Sequence, residues 1–153
     1  MSRVALGGTF NPLHDGHKAL LIRAYQLSNG GELLIGITSD EMAEKKYHEV
    51  EDWEIRKQAV MAFIQDTFGS NPLIVRLDNP FGPTIDEDFD YLVVSPETQP
   101  TAHQMNSRRA EQGKQPINIE LVEYVLAGDG SPISSTRVLR GEIDIHGNLL
   151  QHR

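Results

Sequence analysis

The chain has 153 residues, enough for one compact domain with a single hydrophobic core, and we expect one domain over residues 1–153. Its 22 acidic and 14 basic residues give a net charge of -8 at pH 7, which argues against binding of nucleic acid or of an anionic membrane surface. The sequence has no cysteine, so disulfides, thiolate metal sites and cysteine nucleophiles are excluded.

Two further patterns bear on where the protein works. No apolar run approaches the roughly 18 residues that a membrane span needs. The first residues lead directly into Val4 and a glycine-rich segment, without the charged and long apolar regions of a signal peptide. We therefore expect a cytoplasmic protein.

Short apolar runs recur along the chain and predict buried strands. Each is bounded by turn-forming residues, and near-continuous apolar runs are typical of strands covered on both faces. A later segment, 117–122, alternates apolar and polar residues and predicts a fifth, half-exposed strand. The four buried runs are Val4 to Leu6, Leu33 to Ile37, Leu73 to Val75 and Tyr91 to Val94.

Helical patterns lie between these strands. An amphipathic stretch ends at Ser28, a second helix begins after a cap at Asp52 and ends at Gly69, and a third runs from about Thr98 to Ala110. A short last helix, capped by a serine at 134 or 135, runs to residue 139 and stops at a glycine, and the tail after about residue 141 is expected to be loosely held.

Strands that alternate with helices predict an α/β fold with a parallel sheet and right-handed crossovers. The fold class that we expect is a Rossmann-like, doubly wound, five-stranded sheet. In such sheets the ligand lies beyond the carboxyl ends of the strands, near the point where the strand order reverses. The functional residues are therefore expected directly after the strands.

The segment from Gly7 to His17 follows the first strand and opens the first helix. Gly7 and Gly8 allow a phosphate to approach the backbone, and the helix N-terminus adds unpaired N–H groups and a positive dipole end. His14 and His17, three residues apart, share one face of the first turn. Phosphate binding is the favoured interpretation; a metal site and a buried histidine in a capped turn are the alternatives.

A second donor-rich segment begins the last helix. Ser134, Ser135 and Thr136 supply hydroxyl groups, and Arg137 adds a guanidinium beside the open backbone N–H groups. Such donors explain how an acidic protein could hold a triphosphate. Taken alone, a Ser-Ser-Thr sequence is more often only a helix cap.

Together the two segments resemble the nucleotidyltransferase superfamily, whose members carry an H-x-G-H motif near the N-terminus and an I-S-S-T-x motif near the C-terminus. The chain is most similar to the archaeal and eukaryotic type of phosphopantetheine adenylyltransferase, along almost its whole length. The family often has aspartate where Asn11 stands. The residues that carry the resemblance are Gly7-Gly8-Thr9-Phe10, His14-Asp15-Gly16-His17, Thr38-Ser39-Asp40-Glu41, Asp78, Gly82-Pro83-Thr84, Val94-Ser95-Pro96-Glu97-Thr98, Asn106, Arg109, Gly113 and Ile133-Ser134-Ser135-Thr136-Arg137.

This resemblance implies a nucleotidyltransferase-type fold and adenylyl transfer from ATP to 4′-phosphopantetheine, with Mg²⁺ on the phosphates. It implies catalytic roles for His17, His14 and Arg137. The acceptor site is implied to contain Thr9, Arg109 and Lys45 or Lys46, although a lysine pair in an acidic loop is usually only a solvated charge cluster. The nucleotide-binding residues implied are Gly7, Gly8, Thr9, Phe10, His14, His17, Ser134, Ser135, Thr136 and Arg137.

Three alternatives stay open at this point. Nicotinamide and nicotinate mononucleotide adenylyltransferases carry similar motifs but have longer chains. Cytidylyltransferases for small phosphates have an Arg-Thr-x-Gly stretch where this sequence has Asp129-Gly130-Ser131-Pro132. An ATP-binding module without catalysis is the third, and the presence of both histidines and Arg137 argues against it.

Overall fold

Five parallel strands form one sheet in the computed structural model, which describes residues 1–150. The sheet order is β3-β2-β1-β4-β5, so the chain builds one half outward from β1 and then crosses to its other side. This confirms the predicted doubly wound parallel sheet. The strands are β1 (Arg3–Gly8), β2 (Glu32–Thr38), β3 (Leu73–Leu77), β4 (Tyr91–Val94) and β5 (Asn118–Leu121).

The four predicted helices are present, and one more was not predicted. A five-residue helix follows β2, capped by the Ser39 hydroxyl, which accepts a hydrogen bond from Met42 N at 3.2 Å. Such a helix is too short to show periodicity. In the described part of the chain, no helix has the length and apolarity to cross a membrane. The helices are α1 (Asp15–Ser28), α2 (Asp40–Glu44), α3 (Trp53–Phe68), α4 (Gln99–Glu111) and α5 (Ser135–Leu139), with a 3₁₀ turn at Gly82–Thr84.

Helices cover both faces of the sheet, and successive side chains of β1 point to opposite faces and so enter two different cores. Val4 and Leu6 belong to a core that also contains residues of α1 and α3. Ala5, between them, packs in a second core with Met105 of α4 and Phe89. The strand order reverses between β2 and β4, on either side of β1, so the carboxyl end of β1 lies at the crevice where doubly wound sheets bind ligands.

Residues 142–150, the described part of the tail that was expected to be loosely held, are fixed by packing and hydrogen bonds; residues 151–153 of that tail lie outside the described residues. Ile143 is fully buried in a small third core with Ala127 and Ile133. The Asp144 carboxylate accepts hydrogen bonds from the backbone N–H groups of residues 146 and 148, both at 2.9 Å, and so holds the following turn. Ile145 O accepts from Asp15 N at 2.9 Å, which ties this segment to the start of α1.

The side chain of Leu77 at the end of β3 occupies space left by glycines on neighbouring elements. A Cβ atom on Gly36 of β2 would lie 2.6 Å from Leu77 Cδ2, and one on Gly82 would lie 2.5 Å away. Side-chain atoms do not approach each other so closely without displacement. The absence of a Cβ at these positions therefore fixes where Leu77 lies.

We expect Gly36→Ala to lower the free energy of unfolding by about 1 to 3 kcal/mol, because the new methyl group overpacks the Leu77 site. Urea unfolding followed by circular dichroism measures this. In a Leu77→Ala background the cost of the same change should shrink, since the two side chains compete for one space. Gly128→Ala is the matched control, because its Cβ would have no neighbour closer than 3.7 Å. Equal losses in both backgrounds would contradict the packing argument.

Candidate functional site

A cleft of about 290 Å³ opens at the carboxyl ends of β1, β2, β3 and β4. Five of its lining residues are implicated by the sequence and are called the floor; a second set of lining residues is largely apolar and is called the apolar wall. The floor residues are Gly7, Gly8, Thr9, His17 and Lys46. The apolar wall includes Met42, Leu77, Pro80, Phe81, Pro83 and Met105, with Tyr47 beside Lys46.

In the loop after β1, Thr9 lines the cleft, whereas the large side chain of Phe10 is buried in the core. Phe10 is 1% exposed and has a left-handed backbone conformation, with φ 53°. Its ring packs in the main core, 5.0 Å from the His17 ring, and does not line the cleft. The Phe10 side chain, for which the resemblance implies a nucleotide contact, thus lies in the core and packs near the His17 ring.

His14 and His17 cap the start of α1 reciprocally. His14 Nδ1 accepts a hydrogen bond from His17 N at 3.3 Å, and His17 Nδ1 accepts one from His14 N at 3.2 Å. The two rings stack with centroids 3.7 Å apart. A ring nitrogen that accepts a hydrogen bond carries no proton, so in both neutral rings the proton is on Nε2.

Burial keeps both imidazoles neutral in the free protein. It lowers the pKa of His14 from 6.5 to about 4. Burial also lowers the pKa of His17 well below its usual value, and the neighbouring His14 lowers it further. At pH 7 each ring therefore offers one N–H donor without a formal charge. Only His17 lines the cleft; His14 lies behind it and fixes its orientation.

The second motif lies beside the cleft, next to the first. Ser134 caps α5 by accepting from Arg137 N at 3.2 Å, and Ser135 is buried while Thr136 is half-buried. A Cβ on Gly16 of α1 would lie 3.7 Å from Ile133 O, so the beginnings of α1 and α5 are adjacent. None of Ser134 to Arg137 lines the 290 Å³ cleft itself.

Carboxylates hold the Arg137 guanidinium. Its Nη2 donates to Asp129 Oδ2 at 2.5 Å, and its Nε donates to Glu142 Oε1 at 3.5 Å. Hydrogen bonding from Arg137 keeps the pKa of Asp129 below its usual value. A phosphate at this motif would therefore have to share the guanidinium with two carboxylates or displace them.

The structure distinguishes the two adjacent lysines. Both lysines are exposed, but Lys46 lines the cleft and Lys45 does not. The Lys46 ammonium contacts the carboxylate of Glu97, a second lining residue from the loop between β4 and α4. Of the two lysines, only Lys46 is placed to meet a ligand in this cleft.

Arg109, which the resemblance implies for the acceptor site, does not line the cleft. Arg109 is 1% exposed, and its guanidinium donates to the carbonyl oxygens of residues 84, 85, 87 and 115 and to Asp88. Those acceptors are fixed parts of the chain, so the side chain fastens α4 to the segment that carries the apolar wall. The hydrogen bonds to these acceptors give a structural reason for a buried arginine at this position.

A second buried arginine was missed by the sequence analysis. Arg56 of α3 donates to Thr9 O at 3.1 Å, Thr38 O at 2.8 Å and Asp40 Oδ1 at 2.7 Å. It thereby joins the ends of β1 and β2 to the start of α2, all beside the cleft. Its one sequence signal is its spacing, since it lies four and eight residues before the buried Val60 and Ile64.

Comparison with known proteins gives three consistent matches. The family model for cytidylyltransferase-like proteins matches residues 5–141. A phosphopantetheine adenylyltransferase of Methanosarcina mazei is 48% identical over 151 residues, covering 97% of both chains. One from Archaeoglobus fulgidus is 48% identical over 148 residues, covering 97% of this chain and 99% of that one.

A solved structure agrees with these matches. A protein of unknown function from Archaeoglobus fulgidus is 45% identical, with a TM-score of 0.76, and the alignment covers 80% of this chain and 99% of that one.

The capping geometry makes a prediction about the histidine protons. We expect nitrogen-15 spectra of the ligand-free protein at pH 7 to show His14 and His17 as Nε2–H tautomers. In a pH titration the His14 ring should gain its proton near pH 4. In urea the pKa values of His14 and His17 should both return to that of an ordinary histidine. Below pH 6.5 the unfolded chain binds more protons than the folded one, so the free energy of unfolding should fall as the pH drops toward 4. Nδ1–H signals at pH 7 would contradict this geometry.

Proposed function

The chain belongs to the cytidylyltransferase-like family and, within it, to the phosphopantetheine adenylyltransferases, and we propose that it transfers the adenylyl group of ATP to 4′-phosphopantetheine. The products are dephospho-coenzyme A and pyrophosphate. The observation that carries the proposal is the mixed lining of the cleft: a floor of glycines, Thr9 and His17 suits phosphates, and an apolar wall suits an extended uncharged arm.

The reaction needs no general base, because the acceptor is already a phosphate anion. An oxygen of the acceptor phosphate forms a bond to the α-phosphorus of ATP, and the bond from that phosphorus to the β-bridging oxygen breaks. Pyrophosphate leaves with the electron pair. Catalysis then consists of in-line positioning and of stabilising the charge that grows on the α-phosphoryl oxygens.

His17 is proposed to stabilise that charge. Its Nδ1 is used by the helix cap, so the remaining N–H on Nε2 is the donor available to a phosphoryl oxygen. The stacked His14 ring and the Phe10 ring behind it restrict the orientation of this donor. A donor held in place before the reaction costs no reorganisation when the charge develops.

The β- and γ-phosphates are proposed to lie between the starts of α1 and α5. The Ser134, Ser135 and Thr136 segment at the start of α5 supplies neutral donors there, and Arg137 supplies the charge. The adjacency of Gly16 and Ile133 supports this placement.

Mg²⁺ enters the proposal as the counterion of ATP. This ion prefers oxygen ligands and keeps several waters. Within residues 1–150, no three histidine or acidic side chains come together as they would around a metal ion. We propose an ion held by the phosphates and assign it no protein ligand.

A single assay separates this function from its rivals. The purified protein is incubated with ATP or CTP and with 4′-phosphopantetheine, nicotinamide mononucleotide or glycerol phosphate, and pyrophosphate is measured. We expect release only with ATP and 4′-phosphopantetheine. Release with nicotinamide mononucleotide would move the chain to the pyridine nucleotide branch, and ATP binding without release would indicate a non-catalytic module. A cytoplasmic location without nucleic acid or membrane partners, based on the acidic composition, belongs to the same proposal.

His17→Ala and His17→Asn should each lower kcat by about 100-fold or more while ATP binding changes little, because the lost donor acts mainly in the transition state. The asparagine oxygen can still accept from His14 N, so this variant separates the donor from the helix cap. Calorimetric ATP binding and steady-state kinetics measure the two effects. A raised ATP Kd with unchanged kcat would limit His17 to ground-state binding.

Lys46→Ala should raise the KM for 4′-phosphopantetheine about tenfold and leave the KM for ATP nearly unchanged, since it removes one charged hydrogen bond. Lys45→Ala removes the same charge one residue away, outside the cleft, and is the matched control. Equal effects of the two substitutions would show general attraction rather than a contact, and that attraction would fade with added salt.

A further inference from the structure

Lys46 and Glu97 reach each other from opposite sides of β1. Lys46 follows α2, which comes after β2, and Glu97 follows β4. Since β2 and β4 flank β1 in the sheet, the ion pair between these side chains crosses above the end of β1. Both residues line the cleft.

The contact pairs the Lys46 ammonium, which is proposed to bind the acceptor, with a carboxylate. Burial by itself would lower the pKa of Lys46, but hydrogen bonds and charge from Glu97 and Tyr47 outweigh it, so the pKa is raised. The lysine therefore stays charged with a carboxylate against it. An incoming anion does not meet a free ammonium group.

The pair is nevertheless easy to open. The Lys46 and Glu97 side chains are 50% and 57% exposed, so water can replace each partner. Exposed ion pairs contribute little to stability for this reason. An anion that binds in the cleft can thus exchange with the carboxylate at small cost.

We propose that Glu97 is an internal competitor for the acceptor phosphate: it occupies Lys46 while the acceptor site is empty and gives it up when a phosphate-bearing ligand binds. This inference rests on the proposed function. It makes Glu97 a residue that sets affinity, weakening every ligand that places a phosphate on Lys46, product as well as substrate. A ligand without that phosphate leaves the pair intact.

Glu97→Gln tests the proposal, since it keeps the shape and removes the charge. We expect the Kd for 4′-phosphopantetheine and for dephospho-coenzyme A to fall by about two- to fivefold, the range of an exposed ion pair. The Kd for pantetheine, which lacks the phosphate, and for ATP should not change. Calorimetry on the full chain measures all four values.

Two controls make the result specific. Glu44→Gln removes the same charge from the exposed end of α2, outside the cleft, and should leave all four Kd values unchanged. In a Lys46→Ala background, Glu97→Gln should no longer tighten binding of the phosphate-bearing ligands, because the ammonium group for which Glu97 competes is absent.

The outcomes divide clearly. Unchanged or weaker binding of 4′-phosphopantetheine in Glu97→Gln would overturn the proposal, as would tightening that persists without Lys46. Weaker ATP binding would overturn it too, because Glu97 would then touch the nucleotide. If the wild-type protein failed to bind or adenylylate 4′-phosphopantetheine, the proposed function itself would fall, and this inference with it.

Discussion

The buried guanidinium of Arg56 is the constraint on which the floor of the cleft depends. Its donors meet Thr9 O, Thr38 O and Asp40 Oδ1, and its Nε donates to Glu51 O at 2.8 Å. These acceptors belong to three stretches of the chain: the loop after β1, the end of β2 with the start of α2, and the segment before α3. A charge so deeply buried is tolerated because its hydrogen bonds are made, and breaking them would leave an unpaired cation in the core. The loop that presents Thr9 and the helix that leads to Lys46 are thus held by one side chain.

Arg109 does for the apolar wall what Arg56 does for the floor. Four of its acceptors lie at the end of the 3₁₀ turn at Gly82–Thr84 or just after it. This turn contains Pro83, which lines the cleft. The floor and the apolar wall each rest on an arginine that does not itself line the cleft. Both segments have little regular structure of their own. Buried guanidinium groups suit this task, because one planar fork can hold several carbonyl oxygens at once.

Sequence patterns predicted what is periodic or local, and missed what depends on contact between distant residues. The runs around Val4, Leu33 and Tyr91 predicted buried strands correctly because burial on both faces leaves no polar positions. In α3 the apolar Ile55 is 53% exposed while the neighbouring Arg56 is buried, the reverse of what residue type alone predicts. Nothing near Arg56 or Arg109 indicates their acceptors, most of which lie 16 or more residues away. Whether an arginine holds a substrate or the chain is decided by such distant partners.

The groups proposed to meet phosphate are either neutral or already paired with carboxylates. His17 is neutral because it is buried, Lys46 is paired with Glu97, and Arg137 is paired with Asp129 and Glu142. A polyanion that enters this acidic protein therefore exchanges partners with carboxylates rather than filling an empty cationic pocket. Exchange keeps the net gain per phosphate small, because each new ion pair replaces an old one. A transferase must release two phosphate-rich products in every cycle, and a site built on exchange can hold its substrates in place without retaining those products.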